Sequence, residues 1–143
     1  MLRDSSLIPL SHQHHNGLAL CVLTTKALAS GGDVTTLAQR VVDRYEIELI
    51  NHFEIEEQVL FPLCTATALV DRLKQEHRTL EGLVERLRVA PSKELLEEFC
   101  ELLSRHIRVE ERELFEDSQR TIARDVLDQI GCEIDRRAVR VCL

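Results

Sequence analysis

Two stretches of the chain share one pattern of residues able to do chemistry. Residues 52–61 read HFEIEEQVLF and residues 106–115 read HIRVEERELF. Both follow H-x-x-(Ile/Val)-E-E-x-x-L-F. On a helix, residues four apart lie one turn apart on the same face. His52 therefore points with Glu56, and His106 with Glu110. Glu57 and Glu111 stand about 100° further round, as flanking, outer or solvated carboxylates. His77 and Glu81 repeat the spacing. A weaker echo, Q-x-H-x-x-L, aligns Gln13–Leu18 with Gln75–Leu80 and pairs His15 with His77.

One histidine on an apolar stripe is ordinarily a hydrogen-bonded core residue, and one H-x-x-x-E pair can simply decorate a surface. Three such pairs on apolar stripes are different. Burying several imidazoles and carboxylates is costly unless each is paired or bound to metal. A centre of two metal ions accounts for all of them, since imidazole nitrogens and bridging carboxylates suit Fe, Mn or Zn. The candidate ligands are His15, His52, Glu56, His77, Glu81, His106 and Glu110.

Four helices are expected to carry them. Ser11 is the expected N-cap of a helix over about residues 12–29, ended by Ser30-Gly31-Gly32. Asp33 caps a second, over about 34–64, with Leu37, Val41, Tyr45, Leu49, His52, Ile55, Glu56, Val59 and Leu63 inward. Pro62 should kink or end it. The third spans about 66–89 and the fourth about 93–117, separated by Pro91-Ser92. A short fifth is expected over about 120–130, ended by Gly131. Short connections force antiparallel neighbours, so the expected fold is an all-α, up-down-up-down four-helix bundle with a short C-terminal helix or tail. One domain is expected over 1–143, with its core over about 8–117 and an extension over 118–143. Antiparallel packing brings the four histidines towards one level.

The 143 residues suffice for one core, and the chain is 44% hydrophobic but only 3% aromatic, which favours helices. A net charge of −7 argues against nucleic acid or an anionic membrane surface as partner. With no bilayer-length apolar stretch and no signal-peptide pattern, a soluble cytoplasmic protein is expected. Five scattered cysteines without C-x-x-C speak against a disulfide framework and a structural zinc site. Cys21, Cys64 and Cys100 read as small buried hydrophobes, and Cys132 and Cys142 as exposed thiols. Tyr45 reads as packing or as a group near the site. Lys26 either pairs with Glu48 or reaches the surface.

PLSHQHHNGL, HFEIEEQVLFP, EHRTLEGL and HIRVEERELF together resemble the hemerythrin-like (HHE cation-binding) family over about residues 8–117. The resemblance implies a four-helix bundle holding two non-haem irons with an oxo or hydroxo bridge. On helix one it implies His15, with His14 as competitor and His12 one turn earlier. On helix two it implies His52 as terminal ligand and Glu56 as bridge. His77 follows on helix three. Oxygen-carrying members have a histidine where Glu81 stands, and a carboxylate there would favour the oxidised metal over reversible oxygen carriage. His106 follows on helix four with Glu111, as in the carriers, or Glu110, as the internal repeat argues. The implied function is binding or reaction of dioxygen, peroxide or nitric oxide. The rival reading is an iron or oxygen sensing module without turnover, signalling through the tail after Gly131 to a protein partner or a second copy.

Overall fold

In the computed structural model, which describes residues 2–141, every element among the described residues is helical. None of these helices is long and apolar enough to cross a membrane. Asp4 accepts a hydrogen bond from the Ser6 N–H and starts a 3-10 turn, Ser5–Leu7, that runs into α1, Ile8–Ala29. The helix thus begins a full turn before the expected start. Pro9 sits in its first turn, where a missing N–H costs nothing. Ser11 is no cap; its hydroxyl donates to Glu111 Oε2 at 2.8 Å. Gly31, at φ 77°, turns the chain, and Asp33 caps α2, Val34–Arg44, by accepting from the Thr36 N–H.

A π-turn, Tyr45–Leu49, joins α2 to α3, Ile50–Ile55, and a second, Glu56–Leu60, leads to a 3-10 turn, Phe61–Leu63, containing Pro62. Then come α4, Thr67–Val89, and α5, Lys93–Val109, whose cap Ser92 accepts from the Leu95 N–H. A third π-turn, Glu110–Leu114, continues α5 into α6, Phe115–Thr121, beyond the expected end. Finally α7 spans Arg124–Arg137. Gly131 lies inside α7 instead of ending it. A Cβ there would stand 2.9 Å from the Ser6 Cα, so this glycine lets α7 press onto the 3-10 turn.

Two of the π-turns are the EEQVL and EEREL portions of the repeated decapeptide. In each, the N–H of the final phenylalanine, Phe61 or Phe115, closes an i→i+5 bond onto the carbonyl of Glu56 or Glu110. The extra residue per turn shifts the helix phase. The expected inward positions Val59 and Leu63 are therefore only half-buried and exposed, while Leu60 and Phe61 are buried.

The α5 helix packs on α1 and α4, α2 packs on α4, and α1 touches α2. Two apolar clusters result. One contains Leu20, Val41, Leu80, Leu96 and Phe99; the other contains Leu7, Leu10, Ile55, Leu73 and Phe115. Each of the four long helical runs passes from one cluster to the other, and the candidate site lies at that crossing.

Candidate metal centre

Four imidazoles and two carboxylates meet there: His14 from α1, His52 and Glu56 from α3 and its π-turn, His77 from α4, and His106 and Glu110 from α5 and its π-turn. All six are buried. His14 Nε2 lies 2.9 Å from Glu110 Oε1, and His106 Nε2 lies 3.2 Å from the same oxygen. His52 and His77 present Nε2 to Glu56 Oε1 at 3.3 and 3.2 Å. The donor atoms fall into two sets, each within 4.8 Å: His14, His52, Glu56 and Glu110, and Glu56, His77, His106 and Glu110. The two carboxylates belong to both sets.

Each imidazole is held from behind through Nδ1. That nitrogen donates to Glu111 Oε2 from His14 at 2.6 Å, to Gln13 Oε1 from His52 at 2.9 Å, to Glu57 Oε2 from His77 at 2.7 Å and to Glu76 Oε1 from His106 at 2.8 Å. A ring that donates from Nδ1 turns a bare Nε2 lone pair inward when neutral. Lone pairs facing carboxylate oxygens in a dry core call for a cation. The satisfaction pattern agrees: Nε2 of His52, His77 and His106, both oxygens of Glu56 and Glu110 Oε2 are buried without hydrogen-bond partners. Glu48 is the contrast. It too is buried, but it accepts from Asn16 and Arg44 at 2.8 and 3.0 Å and is satisfied. The donor chemistry therefore fits metal ions, with tautomers fixed by outer partners as metal-binding histidines require.

A family model, hemerythrin HHE cation binding domain, matches residues 6–117. The chain belongs to the hemerythrin family. No curated protein and no solved structure matches it.

In this hemerythrin-family site the whole decapeptide has a use. Its histidine and first glutamate enter the cluster. Its second glutamate and final phenylalanine serve a histidine on another helix: Glu57 and Phe61 hold and stack on His77, and Glu111 and Phe115 do the same for His14. Phe53, absent from the expected inward set, stacks on His77 with ring centroids 3.9 Å apart. Two neighbours of the histidines, Gln13 and Glu76, complete a pseudo-twofold pattern by orienting His52 and His106. Arg3 donates to the Glu111 carbonyl and Gln119 and lies over the Phe115 ring.

The structure brings together five of the seven residues singled out in the sequence: His52, Glu56, His77, His106 and Glu110. It does not bring in His15, which is exposed like His12. His14 stands in its place, on the buried stripe of α1 that runs through Leu10, Gln13, Gly17 and Cys21. Nor does it bring in Glu81, which is exposed. The interior positions of α4 at that level are filled by Leu80 and Val84, and Phe53 covers His77. Glu81 instead lines a cavity of about 510 Å³ with Tyr45, Phe53, Glu57, His77 and Arg78. Glu81 therefore adds no carboxylate to this cluster. Glu111 touches His14 from outside, and Glu110 takes the inner place. Lys26 is exposed and leaves Glu48 to Asn16 and Arg44.

Burial, then the neighbouring imidazole charge of His14, pulls His52 down to about 4, and burial likewise pulls His77 to about 4. For His106 burial is outweighed by Glu110 and Glu76, which push it up to about 9. His14 is also raised, since Glu110 and Glu111 outweigh its burial. Burial and then Glu110 raise Glu56 well above the carboxylate range, whereas His106 and His14 overcome burial and lower Glu110. Without a cation, the cluster holds protons where a cation would sit.

Proposed function

We propose that the chain is a non-haem di-iron protein that binds or reacts with dioxygen, peroxide or nitric oxide. His14 and His52 would hold one ion and His77 and His106 the other, with Glu56 and Glu110 shared. The observation that carries this reading is the double set of donors sharing two carboxylates, with its inward atoms unpartnered. Iron supplies the redox chemistry with the small ligand. Manganese or zinc would suit the same donors.

The chain's own residues do the rest. Glu57, Glu76, Glu111 and Gln13 fix each imidazole's tautomer and aim. Phe53 and Phe61 cover the His77 ring and Phe115 covers the His14 ring with apolar surface. Two histidines and two shared carboxylates would offer each ion four protein donors, fewer than iron commonly takes, so a small ligand could bind as well. The cavity bordered by His77 and Tyr45 offers that ligand an approach. Burial and then Glu81 push the Tyr45 hydroxyl up to about 12, so it remains an O–H donor at neutral pH.

We place the site in one up-down-up-down four-helix bundle within a single domain. Contact registers support this. Gln13 meets His52 while Asn16 meets Glu48, and Glu57 meets His77 while Glu46 meets Arg88. The expected setting is cytoplasmic, without nucleic-acid or membrane partners.

A second reading, a sensor without turnover, draws on the C-terminal segment. The Val139 N–H donates to Asn51 Oδ1, its carbonyl accepts from Gln13 Nε2, and Asn51 Nδ2 donates to the Arg137 carbonyl. Gln13 is the partner of His52, so the segment after α7 touches the outer shell of the cluster. The test is to load the chain anaerobically with Fe(II), count iron and record the spectrum before and after air. Two irons per chain and a new near-ultraviolet band are expected. Absence of stoichiometric iron and of the band would sink the di-iron reading. Turnover no greater than that of free iron would favour the sensor.

A further inference from the structure

Cys21 on α1 and Cys100 on α5 take no part in the cluster. Both are free, buried thiols. The two helices approach closely here. At Gly17, one turn before Cys21, a Cβ would stand 3.0 Å from Ile107 Cδ1 and 3.8 Å from Leu103 Cδ2. His14 meets Glu110, Gly17 meets Leu103 and Ile107, and Cys21 meets Cys100, so α1 and α5 run antiparallel through this contact. The two thiols are neighbours across it. They also form part of an open groove of about 460 Å³, lined by Thr25, Lys26 and Ser104 among others, through which a small oxidant can reach them.

The two sulfurs are unequal. The neighbouring Cys100 thiol, then Ser104 and the Arg108 charge, lower Cys21 against the opposing effect of burial, while the neighbouring Cys21 thiol and burial raise Cys100. The thiolate is the reactive form, which favours Cys21, beside Ser104 and the Arg108 charge, as the attacking sulfur. Cys64 differs. It donates to the Leu60 carbonyl, lies beside the Ser118 hydroxyl and is raised by burial, the setting of an inert core thiol.

We propose that Cys21 and Cys100 form a reversible dithiol–disulfide site, oxidised by hydrogen peroxide, that clamps α1 to α5. The Cys21 thiolate attacks one peroxide oxygen. An S–O bond forms, the O–O bond breaks, and the departing hydroxide takes up the proton that Cys21 released and leaves as water. Cys21 is then a sulfenic acid. The Cys100 sulfur attacks the Cys21 sulfur; the S–S bond forms, the S–O bond breaks, and the hydroxide leaves as a second water with the Cys100 proton. Two thiols are oxidised and one peroxide is reduced to two waters.

The test treats the full chain with hydrogen peroxide, blocks the remaining thiols and maps peptides by mass. The expected result is loss of two hydrogens and of two free thiols from the chain's five, with one linked peptide pair joining Cys21 to Cys100, reversed by dithiothreitol. In Cys100→Ser, dimedone should trap a sulfenic acid at Cys21, whereas Cys21→Ser should leave Cys100 unoxidised. A link through Cys132 or Cys142, oxygen added to Cys21 without a link in the unsubstituted chain, or both thiols intact when exposed Cys132 is oxidised would overturn the proposal.

Discussion

At the scale of single residues, the site separates groups whose donor atoms point inward from groups that aim them. The first kind are His14, His52, Glu56, His77, His106 and Glu110. Their removal should cost metal stoichiometry. His14→Ala is expected to lose iron from one of the two sets, while His15→Ala and Glu81→Ala retain the full count by atomic absorption. Glu57→Ala and Glu111→Ala keep every donor but release an imidazole, so affinity should fall about 10- to 100-fold in competition with a chelating dye. Retained affinity would show that the rings are held by packing alone. His52, Glu56, His106 and Glu110 were legible in the sequence because the decapeptide states them twice. The same repeat carried the signal for the outer partners Glu57 and Glu111 and for the ring platforms Phe61 and Phe115. Nothing in one sequence says that these four serve a histidine on another helix.

Protonation belongs to this scale as well. In the metal-free chain, His106 rises to about 9, above its ordinary value of 6.5. Its contribution to stability is fully present below 6.5 and lost as pH rises through about 9. His52 and His77 fall to about 4 from 6.5. Their contribution is present above 6.5 and lost as pH falls towards 4. The chelator-treated chain should therefore melt highest between these limits, near neutrality, with the melting temperature falling on both sides. A melting temperature flat from pH 5 to pH 9, a span set by those imidazole shifts, would contradict the protonation pattern.

At the scale of elements, what the sequence hid is a matter of phase. Apolar periodicity located the four long helical runs closely, since that pattern reports a regular 3.6-residue turn. It is blind to π-turns, which add a residue without changing composition. The turn at Glu56–Leu60 moves the buried face from Val59 and Leu63 to Leu60 and Phe61. The start of α1 was hidden for a related reason. Ser11 has the chemistry of a cap, but Asp4 and Pro9 begin the helix earlier; separately, the buried stripe through Leu10, Gly17 and Cys21 takes His14 and leaves His15 outside. Gly131 has the residue type of a helix stop, yet it lies inside α7 as a contact point. Gly131→Ala should drive a methyl into the backbone of Ser6, where α7 meets the first turn. Overpacking of this kind costs about 1–3 kcal/mol. Thermal melting should show the loss with iron content unchanged, and an unaltered melting temperature would mean that the 3-10 turn yields freely.

At the scale of the whole molecule, the cluster is a polar layer between two apolar ones. Each long helical run contributes to it: α1 one side chain, the run through α3 two, α4 one, and the run through α5 two. A folded chain without metal must bury inward imidazole nitrogens and the Glu56 oxygens without hydrogen-bond partners, a cost spread over all four runs. Metal that binds only the folded arrangement stabilises it by mass action, about 2.7 kcal/mol at a free concentration of 100 Kd. Chelation is therefore expected to lower the melting temperature of the entire domain in one transition, with proton uptake as His14, His106 and Glu56 regain their protons. The segment after α7 should respond too, because Gln13 joins Val139 to His52. Amide exchange at Val139, whose N–H donates to Asn51, should quicken on chelation. Asn51→Ala should quicken it whether or not metal is bound. If chelation changed neither the melting temperature nor this exchange, the cluster would be an ionic network that packs the core, and the four runs would not depend on metal for their alignment.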